Sequence, residues 1–271
     1  MSAAGALLPD GRLHLQHGPI DLIIGVVGPA EAAYRAAAAR FEGLLGALVA
    51  ELPALRRPVA PGVLRGPVAR RMVAACLPHR PVFVTPMAAV AGAVADEIVS
   101  AIATVPGIRK AYVNNGGDIA VHLTGVEAFS ALMPGGRVTL RAEEPWRGLA
   151  TSGWRGRSHS LGIADAVTVV AANGAAADAA ATLIANAVDL PGHPAVRRRP
   201  ACELAPDSDL GARPVTVAVG PLTAAEVAQA LRRGLAAAEA MRARGLIGAA
   251  HLTLCGQALA AGALLLEGEN A

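Results

Sequence analysis

An α+β fold with mixed or antiparallel sheets and packed helices is predicted for this 271-residue chain, and three observations predict it. The N-terminal region alternates with a period of two and reads as sheet. Two long stretches, from Pro29 and from Met87, carry apolar residues at helical spacing. A short strand after the second helix runs into a glycine turn and a returning strand, so that a helix feeds a hairpin-like pair.

In order along the chain, Arg12 to His17 alternates and Ile20 to Val27 is a mostly apolar run, so both are expected strands. From Pro29 one amphipathic helix is expected, with Tyr34, Phe41, Leu44, Leu45 and Leu48 on one side, ending by Pro53. The proline- and glycine-rich segment from Arg56 to Pro67 reads as a loop leading to a short helix, Val68 to Leu77. Met87 to Val105 is an alanine-rich helix closed by Pro106-Gly107. Strands follow at Ile108 to Val113 and Ile119 to Leu123, then at Val138 to Ala142, weakly at Arg157 to Leu161, and at the β-branched run Ala166 to Ala171. That last strand delivers the chain to a helix holding Asp178 and Thr182. Val215 to Val219 is a strand, Thr223 caps a helix with Glu226 at capping-box spacing, and Leu252 to Leu254 and Leu264 to Leu266 are closing strands.

Composition narrows the class. With 54% hydrophobic and 17% charged residues and a formal charge of +3, the chain has ample core and is not disordered. A single domain over residues 1–271 is expected, with core motifs in 87–188 and an internal linker at 189–213. The basic balance is almost wholly arginine, since Lys110 is the sole lysine, and such usage reflects a GC-biased genome more readily than a ligand. Aromatic residues make up 3%, so stacking platforms for nucleic acid are scarce and no nucleic-acid partner is expected. Cys76, Cys202 and Cys255 are too dispersed for a zinc knuckle or a disulfide framework. The N-terminus lacks the basic and apolar regions of a signal peptide, and Pro81 to Ala95 is too short to span a bilayer. A cytoplasmic protein without a membrane segment is the expectation. No P-loop, dinucleotide fingerprint, zincin or nucleophile-elbow motif is present.

Three segments carry chemistry. Asp178 and Thr182 lie four residues apart on a predicted helix, so they share a face and can offer oxygens to one cation. Asn115-Gly116-Gly117-Asp118 follows a strand, and a glycine pair lets backbone N–H groups approach an anion closely. Thr151-Ser152-Gly153 is a small polar turn. Each has a plainer reading: an acid early in a helix is favoured by the dipole, a glycine pair is often only a turn, and Thr151-Ser152-Gly153 suits a loop. His159 alone reads as a surface or half-buried histidine, and Asp96 as a solvated residue or a cap partner.

Their joint order resembles the ApbE family, the FAD:protein FMN transferases, and more closely its short relatives, the UPF0280 family. The resemblance runs from about Met87 to Val188 through Gly92 with Asp96, Asn115 to Asp118, Thr151 to Gly153, Ser158-His159, and Asp178 with Thr182. Three departures are visible: Ala91 stands where the family carries a lysine, the segment between His159 and Asp165 is shortened, and the large N-terminal part of the full-length enzymes has no clear counterpart in the first 86 residues.

The resemblance implies a layered ApbE-like fold and a phosphorylated cofactor, FAD or a related flavin nucleotide. Asn115, Gly116, Gly117, Asp118, Thr151, Ser152 and Gly153 would contact that cofactor. Mg²⁺ would sit on Asp178, Thr182 and a main-chain carbonyl near Ala88 to Ala91. The implied reaction is attack by a Ser or Thr hydroxyl of a partner flavoprotein on the FMN phosphate of FAD, with His159 or Asp118 as general base. Two alternatives stay open: a non-catalytic cofactor-binding or assembly protein, and an enzyme of pterin or flavin biosynthesis. Exposed alanine-rich faces allow a homodimer.

Overall fold

A computed structural model describes residues 3–62 and 64–263. The strand expected at Leu264 to Leu266 lies outside them. The elements run β1 (Ala4–Leu7), β2 (Leu13–His17), β3 (Ile20–Val27), α1 (Ala30–Phe41), α2 (Leu44–Leu55), α3 (Pro67–Cys76) and α4 (Val90–Ala103). Then come β4 (Lys110–Asn115), β5 (Asp118–Leu123), β6 (Ala128–Met133), β7 (Gly136–Arg141), β8 (Gly148–Ser152), β9 (Ala166–Ala171) and α5 (Gly174–Ala187). The chain closes with β10 (Val196–Pro200), α6 (Ala201–Leu204), β11 (Pro214–Val219), α7 (Ala224–Ala243), β12 (Ala249–Leu254) and β13 (Gln257–Ala261). Helices and antiparallel strands alternate irregularly, which is the α+β class expected.

Two compact units divide these residues: one holds the chain up to Ser130 with Thr139–Ala150 and Ala171–Asp178, and the other holds Ala131–Val138, Thr151–Val170 and the chain from Ala179. In the first, strands lie in the order β1-β2-β3-β4-β5-β8, every neighbouring pair antiparallel. Along β4 the side chains of Ala111, Val113 and Asn115 are buried while those between are half-buried, the alternation of a strand with one face on a core. Helix α4 packs on β4 and β5 and against α1 and α3. Glu97 on α4 accepts from Arg40 of α1 at 2.8 Å and from Arg71 of α3 at 3.0 Å. Burial pushes its carboxyl up, but the two guanidiniums outweigh that and hold it below the ordinary range.

The single helix expected from Pro29 to Pro53 is two helices. Gly43 takes a left-handed φ of 72° between α1 and α2, a conformation open to glycine. Phe41, Leu44 and Leu48 stay buried across the break, so the apolar stripe gives no sign of it. Pro86–Ala103, a 3₁₀ turn continuous with α4, is long and apolar enough to cross a membrane, a span longer than the Pro81 to Ala95 stretch considered from sequence. More than half of it is buried, and it carries Asp96.

In the second unit β9, β12 and β13 are antiparallel, with Val167 opposite Leu252 and Leu252 opposite Leu259. Helix α7 packs on β12 and β13 through Val227, Ala230, Leu231, Gly234, Ala238 and Met241, a stripe at helical spacing. Its capping box forms as expected: Glu226 N–H donates to Thr223 Oγ1 while the Thr223 N–H donates to the Glu226 carboxylate. Residues 189–213 contain β10, paired with β11, and the short helix α6. Arg157 to Leu161 forms bends rather than a strand. Its residues from Arg157 to His159 are exposed, with no partner strand among the described residues.

His251 on β12 is 5% exposed, and the corner at Gly135 presses on its ring so closely that a Cβ there would stand 2.5 Å from Cε1. Burial pushes its imidazole below the ordinary histidine range. The folded chain therefore binds fewer protons than the unfolded chain between the lowered and ordinary values, so stability rises with pH in that window. Wild-type protein should lose stability as the pH falls below about 6.5, and His251→Gln should lose less over the same range, measured by urea midpoints from pH 5 to 8. Equal losses would place the acid sensitivity elsewhere.

Candidate functional site

The first unit holds an exchange of acids between two helices. The N-terminus of α5 begins with Asn173, whose Oδ1 accepts the Ala176 N–H at 2.9 Å. The Gly174 and Ala175 N–H groups both donate, at 2.8 Å each, to the two carboxylate oxygens of Asp96 on α4. In return Asp178 on α5 accepts the Gly92 N–H at 3.0 Å, with a second bond from Ala91, at the start of α4. Each helix thus satisfies the orphan donors of the other, and each acid sits in the favourable field of the other's positive end.

Glycine makes the approach feasible. A Cβ on Gly92 would lie 2.1 Å from the Gly174 carbonyl oxygen and 2.7 Å from the Ala175 nitrogen. A Cβ on Gly148, at the start of β8, would lie 2.0 Å from the Asn173 carbonyl oxygen. Backbone cannot yield at these distances as a flexible side chain would, so both positions are restricted to glycine by contact alone.

The β4–β5 corner faces this junction. Asn115 pairs with Asp118 across a two-residue turn in which Gly116 and Gly117 have φ of 65° and 114°, the left-handed pair a tight hairpin requires. Asn115 is buried, and its Nδ2 donates to the Ala91 carbonyl at 3.1 Å while its Oδ1 accepts the Asp21 N–H at 3.4 Å. It ties the end of β4 to the first turn of α4. The Gly117 N–H donates to Asn114 Oδ1 at 2.8 Å, so that donor is committed within the turn. The space beside Gly117 is open, for a Cβ there would meet nothing within 4 Å.

Asp118 and Asp178, both half-buried, share this place. Burial and then the negative charge of Asp118 push the Asp178 carboxyl well above the ordinary carboxylate range. The N–H bonds of Gly92 and Ala91 oppose the rise, and Asp96 adds to it. Asp96 is itself raised by burial against the pull of its two N–H bonds. The Asp118 and Asp96 carboxyls both act on Asp178 at this junction. Among the described residues no three His, Cys, Asp or Glu side chains gather as a ready-made metal cage. The carboxylates here are hard oxygen donors, a chemistry that suits Mg²⁺ rather than a soft metal.

Of the residues singled out from sequence, Asn115, Gly116, Gly117, Asp118 and Asp178 belong to this unit, and the structure brings Asp118 and Asp178 within electrostatic reach. Thr151, Ser152, Gly153, His159 and Thr182 belong to the second. There Thr151 is exposed and its hydroxyl meets that of Thr168 at 2.9 Å. Gly153 is buried, with a Cβ excluded by the Asp165 carbonyl oxygen at 2.4 Å. His159 is exposed on the irregular segment, and Thr182 is half-buried one turn beyond Asp178 on the continuous helix α5.

Sequence reasoning missed the partnership of Asp96 with α5. A signal was present: Gly92-Ala-Val-Ala-Asp96 and Gly174-Ala-Ala-Ala-Asp178 have the same spacing. Asp96 is buried, not solvated, and acts as a cap partner from another helix.

The chain is 40% identical over 129 residues to a UPF0280 protein of Methanothrix thermoacetophila, covering 45% of this chain and 52% of that one. It is 37% identical over 135 residues to a UPF0280 protein of Methanothermobacter thermautotrophicus, covering 48% and 52%. The chain thus spans about half the length of the curated relatives it matches. Among solved structures it superposes on the apo form of Pseudomonas stutzeri flavinyl transferase ApbE, with a TM-score of 0.45 and 14% identity over 96% of this chain and 93% of that one. The profile of the AbpE bacteria family matches residues 5–260. With nearly the whole chain under that match, the protein belongs to the AbpE bacteria family.

Proposed function

We propose that this protein binds a flavin nucleotide together with Mg²⁺ and transfers FMN from FAD to a Ser or Thr hydroxyl of a partner flavoprotein in the cytoplasm. The observation that carries the reading is the convergence of Asp178 and Asp118 beside the open glycine corner. Two like charges held together there raise the cost of ionising Asp178, and a divalent cation lowers it. The flavin is what the resemblance of the motif set to the ApbE family implies.

In this reading Asp178 supplies a carboxylate oxygen to the ion and Thr182, on the next turn of α5, a hydroxyl. When bound, Mg²⁺ neutralises charge that builds on the departing phosphate. The Gly116-Gly117 corner lets the diphosphate approach without a side chain in the way. The acceptor hydroxyl forms a bond to the FMN phosphorus as the phosphoanhydride bond breaks and AMP leaves. Asp118 takes the hydroxyl proton.

The test is FAD with Mg²⁺ and candidate acceptor proteins, following AMP release and flavin bound to the acceptor. AMP that depends on acceptor and metal, and that is lost in Asp178→Ala, is the expected result. Flavin bound without AMP release would make the protein a non-catalytic carrier. Neither flavin binding nor AMP would replace flavin with another phosphorylated ligand and overturn the reading.

A further inference from the structure

We infer that Asp96 is a positioning residue for Asp178: it fixes the first turn of α5, and so sets where the Asp178 carboxylate stands, without itself meeting a ligand. This rests in part on the reading of Asp178 as a cation ligand, but its geometric half stands alone.

Asp96 engages both oxygens, one with the Gly174 N–H and the other with the Ala175 N–H. Those two donors are three and four residues before Asp178, so they define the turn from which its side chain departs. Asp178 closes the loop by accepting from Gly92 and Ala91, one turn before Asp96 on α4. The circuit runs Asp96, α5, Asp178, α4 and back to Asp96, with Gly92 against Gly174 at its centre. Cutting it at Asp96 leaves two buried N–H groups unpaired and frees the end of α5 to shift. The cut is therefore felt at Asp178 although the two acids have separate partners.

The test uses full-length Asp96→Ala and Asp96→Asn, the latter keeping one acceptor oxygen. Amide hydrogen exchange without metal reads the geometric half. Gly92 and Ala91 lie in the first turn of α4, and their N–H groups donate to Asp178. Their exchange should speed up at least tenfold in Asp96→Ala and by less in Asp96→Asn, while Val99 and Ile102 farther along α4 stay protected. Unchanged protection at Gly92 and Ala91 would overturn the inference.

Mg²⁺ affinity by calorimetry reads the functional half. Loss of a group that orients a ligand costs about 10- to 100-fold in metal affinity, so that weakening is expected in Asp96→Ala, with partial recovery in Asp96→Asn. Wild-type affinity in a folded Asp96→Ala would overturn the positioning role. Absence of Mg²⁺ binding in the wild type would instead remove the cation reading and leave the exchange result to decide. Should Asp96→Ala fail to fold, Asp96→Asn carries both measurements.

Discussion

Gly92→Ala should destabilise the protein by about 3 kcal/mol, the upper end of what overpacking a close-packed site costs. The added methyl would stand 2.1 Å from the Gly174 carbonyl oxygen, and the atoms it meets are backbone held by the Asp96 bonds. Helix propensity alone argues the other way, since alanine in a helix interior is worth about 0.5–1 kcal/mol over glycine. Gly46 on α2 provides the control. A Cβ there meets nothing within 4 Å, so Gly46→Ala should stabilise by roughly that half to one kcal/mol. Urea denaturation of both variants checks the pair, and equal effects of one sign would show that the helix crossing is looser than described.

Asp178→Asn should change how stability depends on pH. The folded-state carboxyl of Asp178 titrates above its unfolded value, so between the two values the folded chain holds the extra proton. Stability therefore falls as pH rises from about 4 through the raised value, and above it the cost of the buried, ionised group is constant. Asp178→Asn removes that part of the slope. The smaller part due to Asp96, also raised, stays. Added Mg²⁺ should recover stability in wild type on the alkaline side, where the carboxylate is ionised, and leave Asp178→Asn unchanged. Thermal melts from pH 4 to 8 with and without the metal read both effects, and a slope shared by wild type and variant would deny Asp178 its buried, repelled charge.

Much of the fold was legible because the signals are local. The alternation at Arg12 to His17, the apolar run at Ile20 to Val27 and the β-branched run before α5 all became strands at the places expected, and the Thr223 box formed. The weak strands were not legible: β1 is Ala-Gly-Ala-Leu, exposed throughout, and β6 and β13 alternate with little apolar contrast. Their pairing comes from neighbours, not from their own composition. The α1–α2 break hid because one buried stripe crosses it.

The site divides in the same way. Asp178 and the glycine corner were singled out by residue type at fixed spacing. The role of Asp96 did not, because its partners lie 78 and 79 residues away and are backbone N–H groups, which sequence does not distinguish. The occupation of the Gly117 N–H by Asn114 was equally hidden, since any residue offers that donor and only the folded turn shows who takes it.

Calorimetric titration of Mg²⁺ into wild-type protein and into Asp178→Asn at pH 8 tests the central claim most directly. One saturable site in the wild type that disappears in the variant is the predicted result. The same binding isotherm in both proteins would contradict it.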